Sequence, residues 1–157
     1  FPADQYGYPQ TLLLAPEGLY VATTWRVVLL LDPESLQARA AFTLPETLNP
    51  IRGLARDGEG NLYLTGKKGE EGRLVRLPKG ALLPSPEPQN LDRFAQVLLK
   101  GLPDPWGVAF AGSTLYLVTS TDEKGTGPGG LWRLEGGEAK RVLALPTRYT
   151  LGLAIGE

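Results

Sequence analysis

Leu102-Pro103-Asp104-Pro105-Trp106-Gly107-Val108-Ala109-Phe110-Ala111-Gly112-Ser113-Thr114-Leu115-Tyr116 is the stretch that decides the fold. Leu102-Pro103 closes one unit. Trp106 to Phe110 reads as a strand, Ala111-Gly112-Ser113 as a turn, and Leu115 onward as a second strand. The skeleton recurs twice. Leu44-Pro45 leads to Gly53-Leu54-Ala55 and Leu62-Tyr63, and Leu145-Pro146 leads to Gly152-Leu153-Ala154. Leu-Tyr stands at 19, 62 and 115, and the closing Leu-Pro at 44, 102 and 145. A period of about 45 residues with four short strands per unit is the pattern of propeller blades. The alternative is an irregular β-sandwich.

Outward from that stretch, the units read as follows. Phe1 to Gln10 is an extended linker. Blade 1 spans about 11–45: Thr11 to Ala15, a turn at Pro16-Glu17-Gly18, Leu19 to Thr24, a tight connection at Trp25-Arg26, Val27 to Leu31, a turn at Asp32-Pro33, and Ala38 to Leu44. Blade 2 spans about 51–103. It holds a turn at Asp57 to Asn61, a charged Gly-rich loop at Gly66 to Gly72, and a Pro-rich insertion at 78–92 that cannot sit inside a sheet. Its last strand is Phe94 to Leu102, although Leu91, Phe94 and Leu98 would also share one helical face. Blade 3 spans about 106–146, with another Gly-rich loop from Thr121 to Gly130. Leu151 to Ile155 repeats the first strand of a fourth blade. The fold class is therefore all-β: about three blades of four antiparallel strands plus one strand. Gly-x-Ala suits the innermost strand, where blades crowd an axis. Three blades are too few to close a ring, since propellers have about 4–8. The expectation is a segment of a longer propeller, with a dimer of this chain as the other way to closure.

Composition sets further bounds. The 157 residues are 42% hydrophobic and 21% charged, as in a folded domain. A net charge of −1 argues against nucleic acid as partner, because phosphate binding needs a basic surface. No apolar run approaches transmembrane length. There is no Cys, His or Met. That removes disulfides, thiolate nucleophiles and the commonest general base. Few Asn and Gln beside many Pro, Glu, Arg and Leu resemble a thermophile's composition. The chain opens at Phe1 without a methionine, so export to the periplasm or cell exterior after processing is the expectation for its location.

Leu19 to Pro45, with Leu-Tyr-Val-Ala-Thr-Thr, Leu-Leu-Asp-Pro-Glu-Ser-Leu-Gln and Phe-Thr-Leu-Pro, resembles the YVTN-type propeller repeat. Asp57-Gly58-Glu59-Gly60-Asn61-Leu62-Tyr63-Leu64 is similar to part of an NHL-type repeat. With their echoes in the third unit, these motifs cover most of the chain. They mark blades, not chemistry. The resemblance implies that the strand 2–3 loops and the blade-to-blade linkers share one face, which commonly carries the binding site. The same superfamily includes regucalcin-type calcium lactonases and quinoprotein sugar dehydrogenases. The lactonase pattern of Glu-Gly-Pro with axial Asn and Asp is not matched. Glu17-Gly18 is followed by Leu19, and Asn49, Asn61 and Asn90 fall in linkers or turns. The dehydrogenases rely on His, which this chain lacks.

On the implied face, the strand 2–3 connections bring Trp25, Arg26, Lys67, Lys68, Asp122 and Glu123. The linkers bring Asn49, Arg52, Asp104, Trp106, Arg148 and Tyr149. Mixed charge with Trp and Tyr suits a small polar ligand or a protein partner. The plainer reading is a set of solvated turns. No cofactor is expected. Calcium at Asp122-Glu123 is the one metal to consider, though the Asp-x-Asp-x-Asp-Gly spacing is absent. Pro84 to Pro88 could serve a partner as polyproline, against the plainer reading of a surface loop. The leading expectation is a non-enzymatic binding or scaffold propeller. The alternative is a lactonase-like hydrolase or sugar oxidoreductase whose catalytic residues lie on blades outside these residues.

Overall fold

The protein is all-β in the computed structural model, which describes residues 3–85, 87–120 and 129–144. A single helical turn, α1 (Ala3–Tyr6), precedes β1 (Pro9–Ala15), β2 (Gly18–Thr23), β3 (Val28–Leu31) and β4 (Ala38–Thr43). These four strands pair antiparallel in chain order to make the first sheet. The second sheet orders β5 (Ile51–Arg56), β6 (Leu62–Lys68), β7 (Glu71–Leu77) and β9 (Gln96–Leu102). Between β7 and β9 the chain lays β8 (Gln89–Asn90) parallel to β4 of the first sheet. The third sheet is β10 (Pro105–Ala111), β11 (Thr114–Thr119), β12 (Gly130–Glu135) and β13 (Glu138–Ala144). Among the described residues no sheet closes on itself.

The strands form where apolar runs meet turn chemistry. β3 is Val-Leu-Leu-Leu and largely buried, because it is flanked by strands on both edges and by packed layers on both faces. Pro16-Glu17 forms a two-residue connection between Ala15 and its partner Gly18. Gly136 and Gly137 join β12 to β13 with φ of 57° and 83°, the left-handed pair that a two-residue hairpin requires. In the Asp57–Asn61 turn, Asp57 Oδ1 accepts from the backbone N–H of Glu59 and Asn61 at 3.0 and 2.9 Å. Asn61 Oδ1 in turn accepts from the Lys79 N–H at 2.9 Å. The motif is structural, as its Asx chemistry indicates.

Three local expectations are corrected. The segment before Gln10 is not an extended linker. It contains α1, whose Tyr6 is buried on a cluster of Val21, Leu29, Leu31 and Ala41. That outward face of the first sheet is apolar, and the Tyr6 ring covers it. Gly66 to Gly72 is not a loop. β6 and β7 run on to pair Lys68 with Glu71, and only Gly69-Glu70 turns, with Gly69 at φ 61°. Charged side chains are tolerated there because these strand ends reach the rim. The Pro-rich insertion does enter a sheet, but only at its edge and only through the Pro-free pair Gln89-Asn90. Leu91 is buried beside it, and the Asp92 carboxylate accepts from the Glu46 N–H and from Thr47 Oγ1 at 2.8 Å. Residues Asp92–Phe94 make a single 3₁₀ turn, so the helical reading of 91–99 does not hold beyond three residues. The expected strand at 151–155 lies outside the described residues.

The sheets stack face to face. One core lies between the first and second sheets, with Tyr20, Ala22, Val28 and Phe42 meeting Leu54, Leu62, Leu64, Val75 and Leu77. A second core joins the second and third sheets through Ala55, Leu74, Val108, Leu115 and Leu117. Each fully buried Leu, Val or Phe here contributes about 1.5–3 kcal/mol. The recurring tyrosine faces the next unit. Tyr20 packs toward the second sheet, and Tyr63 meets Phe110 of the third edge-on, centroids 5.0 Å apart. Between the second and third sheets the strands crowd. A Cβ on Gly53 of β5 would meet Thr65 Oγ1 at 2.4 Å and Val108 Cγ1 at 3.2 Å.

Candidate functional site

Topology puts the β2–β3 and β6–β7 turns at the same end of the strands as the linkers 44–50 and 103–104. Along this rim the structure brings three expected residues together around a fourth. Arg52, at the start of β5, pairs through Nη1 with Asp104 Oδ1. Lys67 Nζ reaches the same oxygen at 3.2 Å. The indole N–H of Trp106 donates to Asp104 Oδ2 at 3.0 Å. The Arg52 guanidinium also lies over the Trp106 ring, 4.0 Å from its centroid.

These groups are sheltered. Arg52 and Lys67 side chains are 18% exposed and Asp104 13%, so charge interactions here are screened less than on an open surface. Burial works to raise the Asp104 pKa. Hydrogen bonds from Arg52, Trp106 and Lys67, with the Arg52 charge, outweigh it and hold the carboxyl below its ordinary range. Asp104 therefore stays ionised and acts as an anchor, not an acid. One carboxylate facing two cations leaves one positive charge over.

Trp25 and Arg26 sit on the neighbouring part of the rim. Arg26 takes φ 64° to turn β2 into β3, and Trp25 is 57% exposed. With Pro45, Leu48 and Asn49 they bound a cleft of about 230 Å³. Asn49 Oδ1 is buried at this cleft without a hydrogen-bond partner among the described residues. The two parts of the rim are joined through backbone: the Asn49 N–H donates to Lys67 O at 2.6 Å, and the Lys67 N–H to Pro50 O at 3.2 Å. Lys68 turns away to Pro45 O at 3.3 Å and Glu46 Oε2 at 3.4 Å. Sequence reasoning passed over Arg73, which pairs with Glu71 at 2.7 Å and donates to Thr47 O at 3.1 Å. Its place at the rim end of β7 is the signal that was available.

Asp122, Glu123, Arg148 and Tyr149 lie outside the described residues, and with them the calcium expectation. Among the described residues no three or more carboxylates gather as metal ligands would. Asn90 serves a local turn, accepting from the Asp92 N–H at 2.9 Å. No helix of the described residues is long and apolar enough to cross a membrane. Compared with known proteins, the chain matches no family model and no curated protein.

Proposed function

We propose that this chain is a stretch of an NHL/YVTN-type β-propeller that binds its ligand without converting it, and that the ligand carries an acidic group. A small polar molecule or a protein segment with an exposed carboxylate would meet these terms. The observation that carries the reading is the two-to-one pairing of Arg52 and Lys67 on Asp104. It leaves a sheltered positive charge beside the Trp106 indole, a combination suited to an anion with a flat or apolar body. The carboxylates of Asp104, Asp57 and Glu17 are all held below their ordinary pKa range, which suits anchoring and not proton donation.

The test is a titration of tryptophan fluorescence with uronic acids and a short oligoglutamate peptide. Saturable binding that weakens by about 1 kcal/mol or more in Trp106→Ala, and also in Lys67→Gln, is expected. Absence of saturation with every probe, or equal affinity in both variants, would overturn the site. Turnover of an aldonolactone by the 157-residue chain would overturn the non-enzymatic reading.

A further inference from the structure

Strand register puts the first strands of the three sheets in correspondence. Leu13, Ala55 and Ala109 each pair with the recurring tyrosine, Tyr20, Tyr63 and Tyr116. One residue earlier stand Leu12, Leu54 and Val108, and one residue later Leu14, Arg56 and Phe110. Leu54 is buried against the first sheet and Val108 against the second, at 6% and 4% exposure. Leu12, their equivalent, is 62% exposed, and Leu14 is 73% exposed. Phe110, the equivalent of Leu14, meets Tyr63 of the preceding sheet edge-on. The first sheet therefore carries the same receiving face as the other two, with its innermost strand open to solvent.

The matching face lies on the third sheet. Leu115 and Leu117 point to the second sheet, so alternation along β11 turns Tyr116 the other way. Leu131 pairs with Val118 and Leu143 with Leu131, so both share the face of Tyr116, and Leu143 is exposed. Within the chain a tyrosine face meets a receiving face twice, Tyr20 toward the second sheet and Tyr63 toward the third. The α1 turn does not block a third such contact. Leu82 and Leu91, from outside the long strands, already lie in the core between the first and second sheets. Tyr6 occupies the outward face of the first sheet in the same manner, over Val21, Leu29, Leu31 and Ala41, and leaves Leu12 and Leu14 free.

We propose that the outward face of the first sheet docks the tyrosine face of the third sheet of a second copy of this chain. Tyr116 of one copy lies against Leu12 and Leu14 of the other, as Tyr63 lies against Phe110 within the chain. The contact repeats the sheet-to-sheet interface already present and removes adjacent exposed leucines from water. Made twice about a two-fold axis, it closes a ring of six sheets, within the about 4–8 that propellers have. The contact uses sheet faces and none of the rim groups Arg52, Lys67 and Asp104, so it stands or falls apart from ligand binding.

Sedimentation equilibrium of the whole chain at micromolar concentration is expected to return twice the chain mass. Leu14→Lys and Leu143→Glu replace exposed side chains, so each variant keeps its fold. Each should raise the dissociation constant at least about tenfold, because docking would bury the new charge. The identity of the contact is read by NMR. The chain has no Cys, so Ser113→Cys in the β10–β11 turn takes a single nitroxide label. Mixed with isotope-labelled parent chain, it should broaden the Leu12 and Leu14 amides of the other copy. A mass of one chain, an assembly other than a dimer, unchanged association in both charge variants, or sharp Leu12 and Leu14 signals in the mixture would overturn the proposal.

Discussion

A Cβ atom on Gly53 would stand 2.3 Å from the backbone carbonyl oxygen of Trp106, so β5 and β10 approach too closely for any side chain there. Gly53→Ala must move a carbonyl on the neighbouring strand. A loss of about 3 kcal/mol in urea unfolding is expected. Gly58→Ala is the control, since nothing lies within 4 Å of a Cβ there, and it should change stability little. Equal behaviour of the two would show that the inner strands are not in contact.

Tyr63 and Phe110 meet at 80° across the second and third sheets. A double-mutant cycle with Tyr63→Leu and Phe110→Leu should return a coupling of about 0.5–1.5 kcal/mol. Strict additivity would mean that the sheets do not stack through the repeated tyrosine.

Asp104→Asn keeps an acceptor for the Trp106 indole but leaves Arg52 and Lys67 facing each other unneutralised. A destabilisation of about 2 kcal/mol is expected, smaller at high salt because the remaining repulsion is screened. A variant as stable as the parent at low salt would remove Asp104 from its anchoring role.

Acid should unfold the protein by protonating anchored carboxylates. In the folded state Asp104 and Glu17 are held below their ordinary range, and Asp32 lies at about 2 because the Ser35 and Glu34 N–H groups and Arg39 donate to it. Groups with depressed folded pKa values stabilise fully above the unfolded value and lose that contribution as pH falls toward the folded one. Stability should therefore be flat above about pH 5 and decline from about pH 4 downward. Chemical denaturation at successive pH values checks this, and a decline beginning near neutrality would contradict it.

Asp92 fastens the Pro-rich insertion to the Leu44–Pro50 linker through the Glu46 N–H and Thr47. Asp92→Ala should cost about 1–2 kcal/mol and speed proteolysis between Lys79 and Asn90. An unchanged digestion pattern would mean that β8 holds the insertion without it.

Much of the fold was legible because an antiparallel meander pairs neighbours in the chain. Short apolar runs such as Val28–Leu31, and turns such as Pro16-Glu17 and Asp57–Asn61, set strand order through local contacts alone. The rim was legible in outline for the same reason: equivalent turns of successive units emerge at one end. Its chemistry was not. Arg52 and Asp104 are 52 residues apart, and nothing in either neighbourhood says that Lys67 shares the same carboxylate oxygen.

The sequence by itself determined the local elements: where strands run, where glycine and proline turn them, and that a tyrosine recurs in each unit. Tertiary structure alone decided which distant surfaces meet. It folds Tyr6 onto the first sheet, carries Gln89-Asn90 back to β4, and sets Arg56 against Glu17 across 39 residues. The physical reason is that hydrophobic periodicity records which face of a strand is buried, but not the distant sheet that buries it. Polar residues that meet only after the sheets stack leave no periodic trace at all.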